Sequence, residues 1–196
     1  MNTSTSSLPE MINSSIVVLT KPSVATFEQY ERRGGVRDAL TYMGVAAALA
    51  GVVSFVFGLI TGGVGGAISG LITGGVVPMV GFVIFASVLY FLGRQQGGTG
   101  TQDEVFYTCA LYTAPLLAIT GVVSAIPLLN CLLLPVTLLL GLYQLYLGYL
   151  ASRSSMNLDQ SKAIISVVVA ILAQFIIGVI IASIITAVFV AGSAVG

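Results

Sequence analysis

Histidine is missing from all 196 residues, cysteine occurs twice, and Asp, Glu, Lys and Arg together make up only 7% of the chain. With no histidine, and only Cys109 and Cys131, no metal-ligand or redox spacing can be written. A nucleophile would need a loop carboxylate or lysine as its base, and the spacing of Asp103, Glu104 and Asp159 marks no catalytic pair. The chain is therefore expected to carry no cofactor and to be no enzyme. Seven basic residues balance seven acidic ones; this excludes the basic surplus of a nucleic-acid-binding protein or of a polybasic lipid-binding arm. An ordinary soluble domain has about 25% charged residues. What fills the space instead is apolar: 57% of residues are hydrophobic and the mean hydropathy is +1.05. The solvent to reason in is the bilayer.

Uninterrupted apolar length places spans near 38–60, 75–93, 105–126, 129–150 and 163–190, each about the 20 residues a bilayer core requires. The fold class is all-α, a polytopic bundle of five transmembrane helices with an N-terminal amphipathic interfacial helix. The last span is the clearest, with 18 Ile, Val, Leu or Phe residues in "AIISVVVAILAQFIIGVIIASIITAVFV". Pro78 predicts a kink near the start of the second. Pro127, in "SAIPLLNC", breaks the third from the fourth in a turn that barely leaves the membrane. Cys109 and Cys131 fall at depths about 20 Å apart at 1.5 Å per residue, beyond disulfide reach.

All seven basic residues then lie on one side: Lys21, Arg32, Arg33 and Arg37 before the first span, Arg94 after the second, Arg153 and Lys162 between the fourth and fifth. The positive-inside rule puts that side, and the N-terminus, in the cytoplasm and the C-terminus outside. The start lacks a charged n-region, and its apolar run is only Ile16 to Leu19, so the first span is expected to be the targeting element. Residues 1–14, rich in Ser, Thr and Asn, read as a mobile tail. Residues 15–37 read as an amphipathic segment on the membrane surface, with Pro22 at the first helical position and Val24, Phe27 and Tyr30 on one face. The five-span domain covers 38–190, and 191–196 form a short external tail.

The stretch "LITGGVGGAISGLITGGV" says LITGGV twice. No Lys or Arg occurs between Arg37 and Arg94, so it is no phosphate loop. Gly62, Gly66, Gly70 and Gly74 recur every four residues and would form one ridge where a neighbouring helix comes close. A packed helix or half-helix is expected, with a glycine-rich hairpin next. Leucine at Gly66 or Gly70 is expected to do more damage than at Gly98 in the cytoplasmic loop.

No ionisable Asp, Glu, Lys or Arg falls inside a span, which argues against a coupled transporter. Polar span residues such as Ser54, Ser87, Thr120, Thr137 and Gln174 are read as helix-to-helix hydrogen bonds rather than substrate ligands. The tyrosines crowd the cytoplasmic half, as an interfacial aromatic belt does. Tyr143, Gln144 and Tyr146 in "YQLYLGY" lie deeper than a belt requires, and with Tyr112 and Gln174 they form a candidate polar pocket, expected to open to the cytoplasm.

Three stretches carry a resemblance: "VLTKPSVATFEQYERRGGVRDALTYMG", "FLGRQQGGTGTQDEVFYTCALYTAPLLAITGVVSAIP" and "GLYQLYLGYLASRSSMNLDQSKAIISVVVA". The proline-led amphipathic segment, the "YTAP" of Tyr112 to Pro115 and the polar turn ahead of "SKAIIS" resemble the Yip family of five-span membrane proteins, which includes Ypt/Rab-interacting members. The chain lacks the acidic D-L-Y-G-P type element of eukaryotic members. The resemblance thus implies a prokaryotic-type relative in a cell membrane, engaged in membrane organisation or partner recruitment. Two functions stand. One is a scaffold whose cytoplasmic face, with Glu28, Glu31, Arg32, Arg33, Arg94, Asp103, Glu104, Arg153 and Asp159, recruits a protein or lipid partner. The other is a channel or facilitator for a small neutral solute. Membrane lipids and a cytoplasmic protein are the expected partners; homo-oligomerisation is left open.

Overall fold

The computed structural model describes residues 6–195, and all the regular structure among them is helical. In chain order the elements are α1 (Leu8–Thr20), α2 (Val24–Tyr30), α3 (Val36–Leu71), a π-helical turn (Ile72–Val76), α4 (Val77–Gln95), α5 (Gln102–Ala125), α6 (Pro127–Met156) and α7 (Gln160–Val195). Four stretches among the described residues are long and apolar enough to cross a membrane: Val36–Gln95, Gln102–Ala125, Pro127–Met156 and Gln160–Ile181.

The first of these holds 60 residues. A straight helix of that length would measure about 90 Å, roughly three bilayer cores. The chain reverses instead at Gly62 (φ −138°, ψ 17°) and Gly63 (φ 61°, ψ −152°), both outside helical geometry. The positive φ at Gly63 suits a residue with no Cβ. Beyond the turn the chain runs back along itself. A Cβ on Gly66 would collide with the Gly58 carbonyl oxygen, one on Gly70 with that of Ser54, and one on Gly75 would sit 3.1 Å from that of Ala47. These pairs step symmetrically away from Gly62, the signature of an antiparallel helical hairpin. One stretch therefore makes two passes, and α5, α6 and α7 bring the bundle to five.

This geometry changes the boundary expected for the second span. Residues 64–74 are helix rather than a lead-in to a span beginning at 75, and they pack against the first arm of α3. Gly66, Gly70 and Gly74 face that arm, whereas Gly62 sits at the reversal with open space beside it. The irregularity expected at Pro78 appears just ahead of it, in the π turn. Pro78 has no N–H, and its ring crowds the carbonyl four residues back, which a widened turn relieves.

Helix α5 is the axle of the bundle. Each residue from Val105 to Tyr112 is buried, so this half of α5 has neighbours all round, drawn from α1, α3, α4 and α6. Phe106 meets Phe82 edge-on at 5.9 Å, and Tyr112 meets Phe27 at 6.2 Å. α5 ends at Ala125, and Pro127 opens α6 after a single extended residue, Ile126. The outer half of α6 packs little, with Leu128 78% and Leu132 71% exposed to what would be lipid.

The N-terminus departs most from expectation. Where the sequence suggested a mobile tail over residues 1–14, α1 begins at Leu8; residues 1–5 lie outside the described residues. A capping box starts it, the Ser7 amide donating to Glu10 Oε2 at 2.8 Å. Met11 and Val18 are buried in the bundle, and the Leu19 carbonyl accepts a hydrogen bond from Tyr143 Oη at 2.6 Å. α2 is likewise part of the core rather than a surface collar, because Phe27 and Tyr30 are buried and the helix packs on α6. Ser23 caps it, accepting from the Thr26 amide at 3.0 Å, so Pro22 stands before the helix and not at its first position. At the other end α7 stays helical to Val195, through most of the expected external tail; Gly196 lies outside the described residues.

Candidate functional site

The ends of the helices that carry charge converge. Asp103, at the start of α5, accepts from the Val36 amide at 2.8 Å and so caps α3 from another helix. Glu104 accepts the Thr101 amide at 2.8 Å and Arg32 Nε at 3.1 Å. Glu31 is buried; Ser154 Oγ donates to it at 2.7 Å, and Arg32 Nε stands 3.7 Å from its other oxygen. Removal from water raises the Glu31 pKa above its ordinary value, against the pull of the Ser154 bond and of Arg32. Glu31, Asp103 and Glu104 thus bind the helix ends to one another. The connection after α4 joins them through Lys162 Nζ to the Gln96 carbonyl at 2.9 Å and Gln96 Nε2 to Ser166 Oγ at 2.8 Å. It is no slack loop: a Cβ on Gly98 would sit 2.7 Å from the Gly93 carbonyl oxygen and 2.9 Å from that of Met156, which overturns the expected tolerance there.

The remaining candidates on this face differ in availability. Glu28, Arg33, Arg94 and Asp159 are exposed, as is Arg32 despite its ion pairs. The Arg33 guanidinium lies 4.7 Å over the Tyr30 ring. Arg153 is half-buried, with Nη1 3.3 Å from Tyr149 Oη.

Below this face lies a cavity of about 600 Å³ between α4, α5, α6 and α7. Tyr112, Gln144 and Gln174 line it, and Tyr143 and Tyr146 do not. Tyr143 is held by Leu19, and Tyr146 is 47% exposed on the outside of α6. At about 1.5 Å per residue, Tyr112, Gln144 and Gln174 lie roughly 15 to 21 Å from the charged ends of their helices, near mid-bilayer. Two glycines make the room. A Cβ on Gly148 would be 3.2 Å from Tyr112 Oη, and one on Gly81 would be 3.0 Å from Gln174 Nε2. Sequence reasoning missed both, although an isolated glycine in a span does signal a close approach. Among the described residues no hydrogen bond involves the carboxamide of Gln144 or Gln174. Toward the charged face the cavity is closed by its lining residues Phe85, Tyr112 and Val167, all buried.

A second depression, about 520 Å³, opens between the hairpin and α5 and is lined by hydroxyls. Those of Thr61, Ser69, Thr73 and Thr120 are spent on carbonyls of their own helices, at 2.7 to 3.0 Å. Their polarity is satisfied without a ligand. Cys109 is buried, Cys131 is exposed, and both are free thiols. Among the described residues no group of His, Cys, Asp or Glu side chains could hold a metal ion.

No curated protein and no solved structure matches the chain. The model of the Yip1 domain matches residues 16–192, which takes in the C-terminal part of α1, α2 to α6 whole and nearly all of α7. With a helical bundle of membrane-spanning length over the same residues, the chain belongs to the Yip1 domain family.

Proposed function

We propose that the protein is a membrane scaffold that recruits or organises a protein or lipid partner through its charged face, and that this face lies in the cytoplasm. The observation that carries the reading is the gathering of charge. Three segments far apart in sequence, 21–38, 94–104 and 153–162, meet at one end of the bundle, where internal ion pairs and caps fix their positions. Exposed charges held in fixed relative positions set orientation and specificity for a partner better than a loose tail does. Glu28, Arg33, Arg94 and Asp159 supply them, together with Arg37. The confinement of all seven basic residues to this end, with none at the hairpin end, supports its cytoplasmic placement.

The facilitator reading draws on the cavity around Gln144 and Gln174. It needs a path through, and the cavity is closed toward the charged face by buried side chains. The scaffold is the better supported of the two.

Crosslinking in the native membrane from residues introduced at Glu28 and Arg94 tests it. A discrete partner species should be recovered, and Arg33→Glu with Arg94→Glu should abolish its recovery while insertion and oligomeric state stay unchanged. Arg32 is a poor choice for this test, since reversing it would break the pairs with Glu104 and Glu31 and disturb the bundle itself. Recovery that survives the double reversal would rule out the charged face as the recruiting surface.

A further inference from the structure

The cavity between α4 and α7 has features that a packing defect lacks. Its volume, about 600 Å³, falls within the roughly 300 to 1,000 Å³ of small-molecule sites. Its walls are apolar except for Tyr112, Thr113, Gln144 and Gln174, and none of its lining residues is charged. Two carboxamides at mid-bilayer depth with no partner among the described residues are costly in hydrocarbon, where no water repairs the loss. Sealed toward the charged face, the cavity opens sideways between α6 and α7. A Cβ on either Gly141 or Gly178 would have no heavy atom within 4 Å, and Phe175 at this lip is 67% exposed.

We propose that this cleft is a binding site for a small neutral molecule that enters from the bilayer, an apolar body bearing carbonyl or hydroxyl oxygens of the prenyl quinone or prenyl alcohol kind. Three arguments select that chemistry. A lateral mouth admits what is dissolved in the membrane rather than in water. The lining offers amide and phenol hydrogens to oxygen acceptors but no cation to a phosphate or carboxylate, which excludes charged headgroups. The depth does the rest: the charged headgroup holds a phospholipid's oxygens at the interface, whereas a neutral prenyl molecule has no charge to desolvate in bringing its oxygens to mid-bilayer donors.

The test uses the full-length protein in nanodiscs with three photoreactive probes: an azidoquinone, a diazirine-bearing prenol and a diazirine-bearing phosphatidylglycerol. At least one of the two neutral probes should label peptides from 141–145 or 171–179 and be displaced by its unlabelled parent, and the phospholipid should not. Gly178→Phe should abolish that labelling, because a side chain there starts in the open space of the mouth and its ring would occupy it. Gln144→Leu and Gln174→Leu should each weaken it about tenfold, the loss of one buried hydrogen bond to the ligand. Gly44→Phe, which also has open space beside it but lies away from the cleft, should change nothing. Equal labelling by phosphatidylglycerol would mean that ordinary acyl chains fill the cleft. Cross-linking of two copies through a cysteine at 178 would assign it to a helix of a second chain. Either result, no site-specific neutral labelling at all, or neutral labelling that survives Gly178→Phe, overturns the proposal.

Discussion

Among single residues, Glu31 shows how far a charge can be from what its neighbours in sequence suggest. Glu28 and Glu31 both sit near the end of α2, yet Glu28 is exposed and Glu31 is buried under Ser154. Its raised pKa means that the folded chain holds a proton more tightly than the unfolded chain does. The sign of the linkage follows: its favourable contribution is full below the ordinary value of 4.5 and is lost as pH rises through the higher folded value. Glu31→Gln should therefore raise the melting temperature in detergent at pH 7 to 8 and change it little at pH 4. A wild-type minus variant difference that does not vary with pH would show that Glu31 is not strained by ionisation. Ser154 was invisible as its partner, since 123 residues separate the pair.

At the scale of elements, the helical hairpin rests on residues with no side chain. Backbones close enough for Gly66 to face the Gly58 carbonyl gain dispersion contacts and leave no volume for a Cβ. Gly66→Leu or Gly70→Leu should each destabilise the bundle, by about 1 to 3 kcal/mol or more if the arms are forced apart, read as a fall in melting temperature. The matched control is Gly44→Leu in the same helix, where nothing lies within 4 Å of a Cβ; it should be nearly neutral. Equal effects at the three positions would mean that the arms are not packed as described. Gly98 cannot serve as that control. Its crowding comes from the Gly93 carbonyl at the end of α4 and from Met156 at the end of α6, and the Met156 share, far along the chain, leaves no sign in "GRQQGGTG".

For the whole molecule, what could be read from the sequence was what repeats or accumulates. Apolar length marked the helices, the four-residue glycine period marked the close approach, Pro127 marked the sharpest turn, and the one-sided charges marked the end where the helices meet. What escaped depended on partners. Residues 8–20 look like a polar tail with a short apolar run, because Met11, Ser15 and Val18 make sense only against α3 and α5. The one local sign, Ser7 followed by Glu10, is the spacing of a helix cap. Of the five polar residues grouped as a pocket, Tyr112, Gln144 and Gln174 meet, whereas Tyr143 and Tyr146 diverge because neighbours on a helix point to different sides. The proposed orientation is checked by labelling single cysteines in a Cys131→Ser background: cysteines at Gln95 and Gln160 should react only from the cytoplasm and one at Asn130 only from outside. Reaction of Asn130 and Gln160 from the same face would contradict five passes.

The bond from Tyr143 to the Leu19 carbonyl spans 124 residues, and that interval sets an order of assembly. α1 leaves the ribosome well before α6, but the side chain that holds its last turn arrives only with α6. Until then the N-terminal helix has only the part of its seat that α3 and α5 supply, and its last turn is fixed late. Its capping box lets it hold a helical start while it waits. Once in place, it reports that the helices behind it have inserted in the right order, since a bundle with α6 reversed would carry Tyr143 to a different depth and leave Leu19 without its donor.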